Sequence, residues 1–346
     1  MIGMKGRKFN FALATVVIIF ISYLLVGRLG NKNPVCVESA NKVVMNTIAK
    51  IIAVAPDEKT ARLSIDSAFE KIYNLEKLMN RYDPNSQLSQ VNRLAAKEAV
   101  KIDEDLFDIL RLSVRFSKKT DGAFDITIGP LVDLWRKCAE ANSVPTEKQL
   151  AKVKKRIGYD KLILDANDLS VRFTTRGVSL DLGAIAKGFA ADKAVEEMKE
   201  TGAIGGLIDL GGQIGCFGLT EKKGKWLIGI QNPAILQDGR TIAKLALSDS
   251  AVATSGDYRR FYKIDGKHFS HILNPATEKS ADELISVTII AKEGTAADAL
   301  ATAVSVLGAQ KGLELIEKTE NTEAVIIKSD SSELIKTSGA EQYLAD

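Results

Sequence analysis

The stretch Arg260-Phe-Tyr-Lys-Ile264-Asp265-Gly266-Lys-His268-Phe-Ser-His271-Ile272 decides the fold class. Two runs rich in aromatic and β-branched residues, Arg260–Ile264 and His268–Ile272, flank Asp265-Gly266. That dipeptide accepts the positive φ angles of a tight hairpin turn, and such a turn joins only antiparallel strands. Working outward, strands are expected upstream at Val178–Leu182, Leu207–Leu210, Trp226–Ile230 and Ile242–Leu247. Downstream, they are expected at Leu284–Ala291, 323–328 and 333–337. Val178–Leu182 runs into a helix at 185–200 with Ala191, Ala194, Val195 and Met198 inward, and further helices are expected at 295–308 and 309–318. Strands clustered among helices and joined by short turns predict an α+β fold, a single large domain of mixed, substantially antiparallel sheet with packed helices.

The first half of the chain fits that plan. Val43–Val54 reads as a strand, and Ile65, Ala68, Phe69 and Ile72 recur at helical spacing within a helix over 60–79. Asp83-Pro84-Asn85-Ser86 carries the signal of a type I turn. Helices are expected at 103–118, with Leu106, Ile109, Leu110 and Val114 inward, and at 146–157, opened by a Thr146/Gln149 capping box. Leu162–Asp165 and Leu169–Phe173 form a hairpin around Ala166-Asn167-Asp168.

Composition bounds the chemistry. The chain has 346 residues, 45% hydrophobic and 26% charged, with a net charge of +3, two His and three Cys. Lys5, Arg7, Lys8 and Arg28 take four from +3 and leave −1 for the rest, too little cationic surface for nucleic acid. Two His and three scattered Cys (Cys36, Cys138, Cys216) cannot build a Cys₄ or Cys₂His₂ zinc site, so any divalent metal is expected to be hard and oxygen-bound. Phe9–Val26 is an apolar run preceded by cations, and the expectation is one N-terminal transmembrane or signal-anchor helix. Residues 1–30 are thus read as the anchor, 31–42 as a polar linker, and 43–346 as one domain facing the periplasmic or extracytoplasmic side of the inner membrane.

Three segments carry candidate chemistry. In Thr295-Ala-Ala-Asp298-Ala-Leu-Ala-Thr302, Leu300, Ala303, Val304 and Leu307 form the core face of a helix. Asp298 and Thr302 stack one turn apart on the other side. They offer two hard oxygens to Mg²⁺, or else Thr295 caps the helix and Asp298 meets its dipole. Ser179-Leu-Asp181-Leu-Gly183-Ala184-Ile-Ala-Lys187-Gly188 brings a glycine turn and a cation to a helix start. That is either an anion site or tight packing. Ala253-Thr254-Ser255-Gly256-Asp257 supplies hydroxyls and turn amides, and His271 a group that exchanges protons near neutral pH, or a structural side chain. Asp121-Gly-Ala-Phe-Asp125 reads as a turn.

Taken in order, these segments resemble the ApbE family of FAD:protein FMN transferases. The matching stretches are Met45-Asn-Thr47, Met79-Asn-Arg-Tyr82-Asp-Pro-Asn-Ser86, Asp121-Gly-Ala-Phe-Asp125 and Gly129-Pro130. They continue with Leu180–Gly188, Asp209-Leu-Gly-Gly212, Thr254-Ser-Gly-Asp257, His271-Ile-Leu-Asn-Pro275 and Ala297–Thr302. The resemblance spans roughly 43–338 and departs from the family's Met-Gly-Thr signature at Asn46. It implies an ApbE/T-fold-like domain that splits FAD, joins FMN through a phosphoester to a Thr or Ser of an acceptor protein, and releases AMP. It further implies Mg²⁺ held by Asp298, Thr302 and the carbonyl of Ala184. Met45, Tyr82, the turn Ala123-Phe124-Asp125, Asp181, Lys187, Thr254 and Ile272 would line the flavin nucleotide site. His271 would stand by the reacting phosphate, and His271 or Asp298 would take the acceptor's proton. Alternative readings are an Mg²⁺-dependent FAD pyrophosphatase and a non-catalytic flavin carrier. The chain contains no obvious flavinylation motif of its own, so the implied acceptor is another protein, such as a subunit of a membrane redox pump.

Overall fold

The computed structural model describes residues 33–231, 241–256, 261–329 and 334–345; the expected anchor helix at 1–30 and Asp257 lie outside them. The chain opens with β1 (Val35–Glu38), β2 (Lys42–Val44) and β3 (Thr47–Ala55), then α1 (Glu58–Met79) and α2 (Gln87–Leu94). There follow β4 (Val100–Lys101), α3 (Glu104–Lys119), α4 (Gly129–Glu140), α5 (Glu147–Lys154), β5 (Leu162–Asp165), β6 (Ser170–Phe173) and α6 (Ala186–Glu200). Next come β7 (Gly205–Leu210), β8 (Gln213–Gly218), β9 (Trp226–Gln231), β10 (Thr241–Leu247), β11 (Ser250–Gly256), β12 (Phe261–Ile264), β13 (Lys267–Ser270) and β14 (Leu284–Ala291). The last elements are α7 (Gly294–Glu317), β15 (Thr322–Lys328), β16 (Leu334–Lys336) and β17 (Leu344–Ala345).

A nine-stranded sheet in the order β1-β3-β7-β8-β11-β14-β15-β16, with β2 also on β3, forms the backbone of this α+β domain. Every pairing among the described residues is antiparallel, so the sheet is not mixed as expected. Strand alternation sends Ile51, Ala53, Ile208, Ala253, Val287, Ile289 and Ile326 to one face, where α1, α6 and α7 cover them. Val54, Cys216, Val252, Ile290 and Val325 go to the other face, against the small sheet β17-β10-β9. The result is helices, large sheet, small sheet.

Local chemistry explains the elements. α1 buries Ile65, Ala68, Phe69, Ile72, Leu75 and Met79 along one stripe and starts where the Asp57 carboxylate accepts Thr60 N–H at 2.9 Å. α5 opens with the expected capping box of Thr146 and Gln149. The Asp265-Gly266 turn has φ of 48° and 73° and closes the hairpin β12–β13 as anticipated. Trp135 of α4 packs on Tyr262 and Phe269 of that hairpin and donates its indole N–H to the Glu278 carbonyl at 3.0 Å.

Several expectations are corrected. Val43–Val54 is a hairpin, because Met45 and Asn46 turn with φ of 50° and 56°; Asn tolerates that region, so its place in the signature is compatible with the turn. The linker expected at 31–42 contains β1, paired with β3. Val178–Leu182 is extended without a strand partner, since Leu180 N–H and C=O are both bonded by the Asn92 side chain (2.7 and 3.1 Å). Helices α2 and α4 were not anticipated. Residues 250–256 form the inner strand β11 rather than a turn. The two helices expected at 295–308 and 309–318 are borne out, because α7 breaks between them at Gly308, whose φ of 80° and ψ of 177° are not helical. The apolar segments on either side of that break lie in the core, against α6, β11 and β14.

Candidate active site

A cavity of about 680 Å³ opens between the sheet edge, α1, the start of α6, α7 and the hairpin β12–β13. Its wall contains every residue singled out above: Met45, Tyr82, Ala123, Phe124, Asp125, Asp181, Ala184, Lys187, Thr254, His271, Ile272, Asp298 and Thr302. Residues more than 250 positions apart in sequence therefore share one chamber, of a size that takes a large organic ligand.

One corner is made where α6 crosses α7. A methyl group on Gly188 would collide with the Gly294 carbonyl, and one on Gly294 would come within 2.7 Å of the Gly188 carbonyl. Only a glycine pair allows this approach. Each helix lends a carboxylate to the other's first turn. Asp192 of α6 accepts Gly294 N–H (2.6 Å), Thr295 N–H (2.8 Å) and the Thr295 hydroxyl (2.6 Å). Asp298 of α7 accepts Gly188 N–H at 2.9 Å through Oδ2. Thr295 is thus not the cap expected from sequence; Asp192 caps the helix from outside. Asp298 is only 2% exposed, although an outward face was expected for it, because α7 is buried around most of its circumference. Burial pushes the Asp298 carboxyl above its ordinary range, and the Lys187 charge and amide hydrogen bonds pull the other way. Burial likewise raises Asp192 to about 6 against its three hydrogen bonds.

In a regular helix Gly188 N–H would point at the Ala184 carbonyl; here it is directed at Asp298, and Ala184 and Asp298 both line the cavity. Thr302 stands half-buried one turn beyond Asp298. Among the described residues no group of three or more His, Cys, Asp or Glu could hold a metal. The donors present are one buried carboxylate, one hydroxyl and one carbonyl. This is a hard-oxygen set that suits a small divalent cation completing its shell with water and phosphate oxygens, and it does not suit zinc.

Other predicted residues are engaged differently. Asp181 is held through Oδ2 by Arg81 Nη1 (2.6 Å) and through Oδ1 by Gly183 N–H (2.8 Å). Its carboxylate shapes the Gly183-Ala184 turn and has no oxygen left over. Arg81 also reaches Asp133 (2.8 Å), and Arg81 and Arg136 both lie over the ring of Tyr82, which is 57% exposed at the mouth. Asp125 is buried and accepts Thr127 N–H (2.8 Å), the Thr127 hydroxyl (2.7 Å) and Tyr159 N–H (2.9 Å). Its carboxyl is raised by burial, and the turn contributes wall rather than a free charge. Thr254 shares a hydrogen bond with Thr288 across β11–β14 (2.9 Å). His271 and the buried Ile272 follow β13 and close the chamber beside β11.

Sequence reasoning missed Glu76, whose carboxylate accepts Met45 N–H at 2.7 Å and fixes the β2–β3 turn in the wall. It also missed the structural role of Arg81 and the presence of Gln213 in the cavity. An arginine beside a helix end and Tyr82 was a readable signal; the lone glutamine after Gly212 was not.

Comparison with known proteins finds similarity over most of the chain. The sequence profile of the ApbE family matches residues 45–326. An FAD:protein FMN transferase of Haemophilus influenzae is 32% identical over 274 residues, covering 78% of this chain and 79% of that protein. A Treponema pallidum protein of the same name is 30% identical over 323 residues, 88% of each. The ApbE protein of Thermotoga maritima superposes with a TM-score of 0.81 at 28% identity, over 90% of this chain and all of that one. The flavin transferase ApbE from Vibrio cholerae does so with 0.77 at 25%, over the same shares. A chain that matches the family profile over most of its length and repeats its fold belongs to the ApbE family.

Proposed function

We propose that the cavity binds FAD and that FMN is transferred from it to a Thr or Ser hydroxyl of an acceptor protein through a phosphoester bond, with AMP leaving. Transfer of FMN from FAD to a protein is the activity for which the curated relatives are named, and this chain carries it out. The single observation that supports the detailed reading is that Asp298, held against the first turn of α6 by Gly188 N–H, shares one cavity wall with Thr302, Ala184, Lys187 and His271. Asp298, Thr302 and the Ala184 carbonyl would hold Mg²⁺. When bound, the cation neutralises pyrophosphate charge and stabilises the leaving phosphate.

The remaining work belongs to the chain. Lys187 and the first turn of α6 add positive potential beside the phosphates. Met45 and Tyr82 supply apolar and aromatic surface for a flat ring. Arg81 holds Asp181, and Asp181 holds the turn that presents Ala184. His271 takes the proton of the attacking hydroxyl. The body faces the extracytoplasmic side, tethered by the apolar segment 9–26, and meets its acceptor there, such as a membrane redox-pump subunit; the cations ahead of that segment support this orientation.

The test is incubation with FAD, Mg²⁺ and a protein bearing a candidate Ser/Thr site, followed by in-gel flavin fluorescence and nucleotide analysis. Covalently fluorescent acceptor together with AMP is expected. Free FMN and AMP with an unlabelled acceptor would identify a pyrophosphatase instead, and unchanged FAD a carrier.

A further inference from the structure

Among the described residues, buried side-chain oxygens without a hydrogen bond occur at Gln213 and Glu278. Glu278 Oε1 has an ion-pair partner in Lys154 at 2.6 Å. Gln213 Oε1 has none, although the residue is only 5% exposed and lines the cavity. A buried carbonyl-type oxygen left without a donor is costly, so a native protein keeps one where a ligand supplies the donor.

The strand register says where that oxygen stands. Gln213, Gly215 and Phe217 alternate onto the helix face of β8. Phe217 and Met198, near the end of α6, flank the same point over Gly206. Gly215 faces Val195 and Ala191, about one turn earlier. Two strand residues advance about 6.6 Å and four helical residues about 6 Å, so the next step brings Gln213 level with Lys187 and Gly188. Gly188 is the residue whose amide holds Asp298. On its other side Gln213 pairs with Ala253, directly before Thr254 and Ser255 in the cavity wall.

The orphan is an acceptor, which excludes a phosphate oxygen as its partner. The donors that reach this corner are the hydroxyls of a bound flavin nucleotide and the water shell of a divalent cation. The place of Gln213 level with Gly188, whose amide holds Asp298, favours the water shell, since Mg²⁺ takes about six oxygens and releases its waters reluctantly. Asp298, Thr302 and Ala184 supply three. We propose that Gln213 is a positioning residue for the cation, its carboxamide oxygen accepting a hydrogen bond from a cation-bound water. This rests on the metal site put forward under the proposed function. Outer partners of this kind change metal affinity by about 10- to 100-fold.

The test is Mn²⁺ binding to the full-length chain without flavin, read from loss of the free-ion electron paramagnetic resonance signal, with riboflavin affinity measured alongside. Gln213→Leu should weaken Mn²⁺ about ten-fold and Gln213→Glu should tighten it, since a carboxylate is the stronger acceptor; riboflavin affinity should stay unchanged in both. Unaltered Mn²⁺ affinity in a folded Gln213→Leu variant would overturn the proposal. So would a Gln213→Glu variant that does not tighten, and this second variant decides the matter if the first does not fold. A fall in riboflavin affinity alone would assign Gln213 to the flavin and overturn its role toward the cation. A wild-type chain that binds no Mn²⁺, or an Asp298→Asn variant that binds it equally well, would overturn the metal site itself and the role of Gln213 with it.

Discussion

Asp181 and Asp298 are carboxylates on the wall of one cavity, both in segments that sequence alone marks as candidates, yet the protein has spent one and kept the other. Asp181 is held on both oxygens, by an arginine and an amide, and belongs to an Arg81-centred ion-pair network. Asp298 is more deeply buried, is held by amides of the α6 first turn, and sits beside a hydroxyl and a lysine. A carboxylate satisfied by protein cations holds structure. One buried without a directly paired cation is where the proposed function puts a metal ion, and burial raises its proton affinity.

The largest expected effect separates the two directly. Asp298→Asn should lower FMN transfer by about 1,000-fold while the melting temperature holds, because the lost group stabilises charge in the reaction rather than the fold. Asp181→Asn should instead lower stability and leave substantial activity per folded molecule. If both variants behave alike in transfer and melting, the distinction fails.

The next effect concerns the crossing that builds the corner. Gly188→Ala puts a methyl into the Gly294 carbonyl and should destabilise the chain by about 2–4 kcal/mol in urea titration. A change within 0.5 kcal/mol would mean the helices do not approach as described. Arg81→Met leaves Asp181 and Asp133 without their shared cation and should cost about 3 kcal/mol by the same titration. Adding Asp181→Asn to it should recover part of that loss; simple additivity would argue against a coupled network.

The smallest effect is a pH dependence. Asp192 titrates at about 6 in the folded chain, above the ordinary 3.8, because of its burial. The folded state therefore binds this proton more tightly than the unfolded state does. Stability from Asp192 is full below about pH 4 and is lost as pH rises through 6. Melting temperatures of wild type and Asp192→Asn between pH 4 and 7 should differ in slope, with the wild type losing more toward pH 7. Parallel curves would show that the group is not perturbed.

Much of this molecule is legible locally. The Asp265-Gly266 hairpin, the amphipathic stripes of α1 and α3, the Thr146 cap and the hairpin β5–β6 stand where side-chain period and turn chemistry put them. The failures share a cause. β1 has only four residues and no pattern apart from its pairing with β3, and β11 was read as a turn because its small polar residues mimic one. Val178–Leu182 has strand composition, but the Asn92 side chain supplies the bonds a neighbouring strand would have made.

The sequence by itself determined the residue types of the site, the shortage of His and Cys for a Cys₄ or Cys₂His₂ centre, and the antiparallel character announced between Arg260 and Ile272, since each depends on composition or on neighbours within a few positions. Tertiary structure alone decided which carboxylate is committed, which helix caps which, and that Gln213 is left with an unanswered oxygen. Those outcomes depend on burial and on hydrogen-bond partners about 100 residues away, as between Arg81 and Asp181, Gly188 and Asp298, or Asp192 and Thr295. No local pattern encodes them; they exist only once the chain has closed on itself.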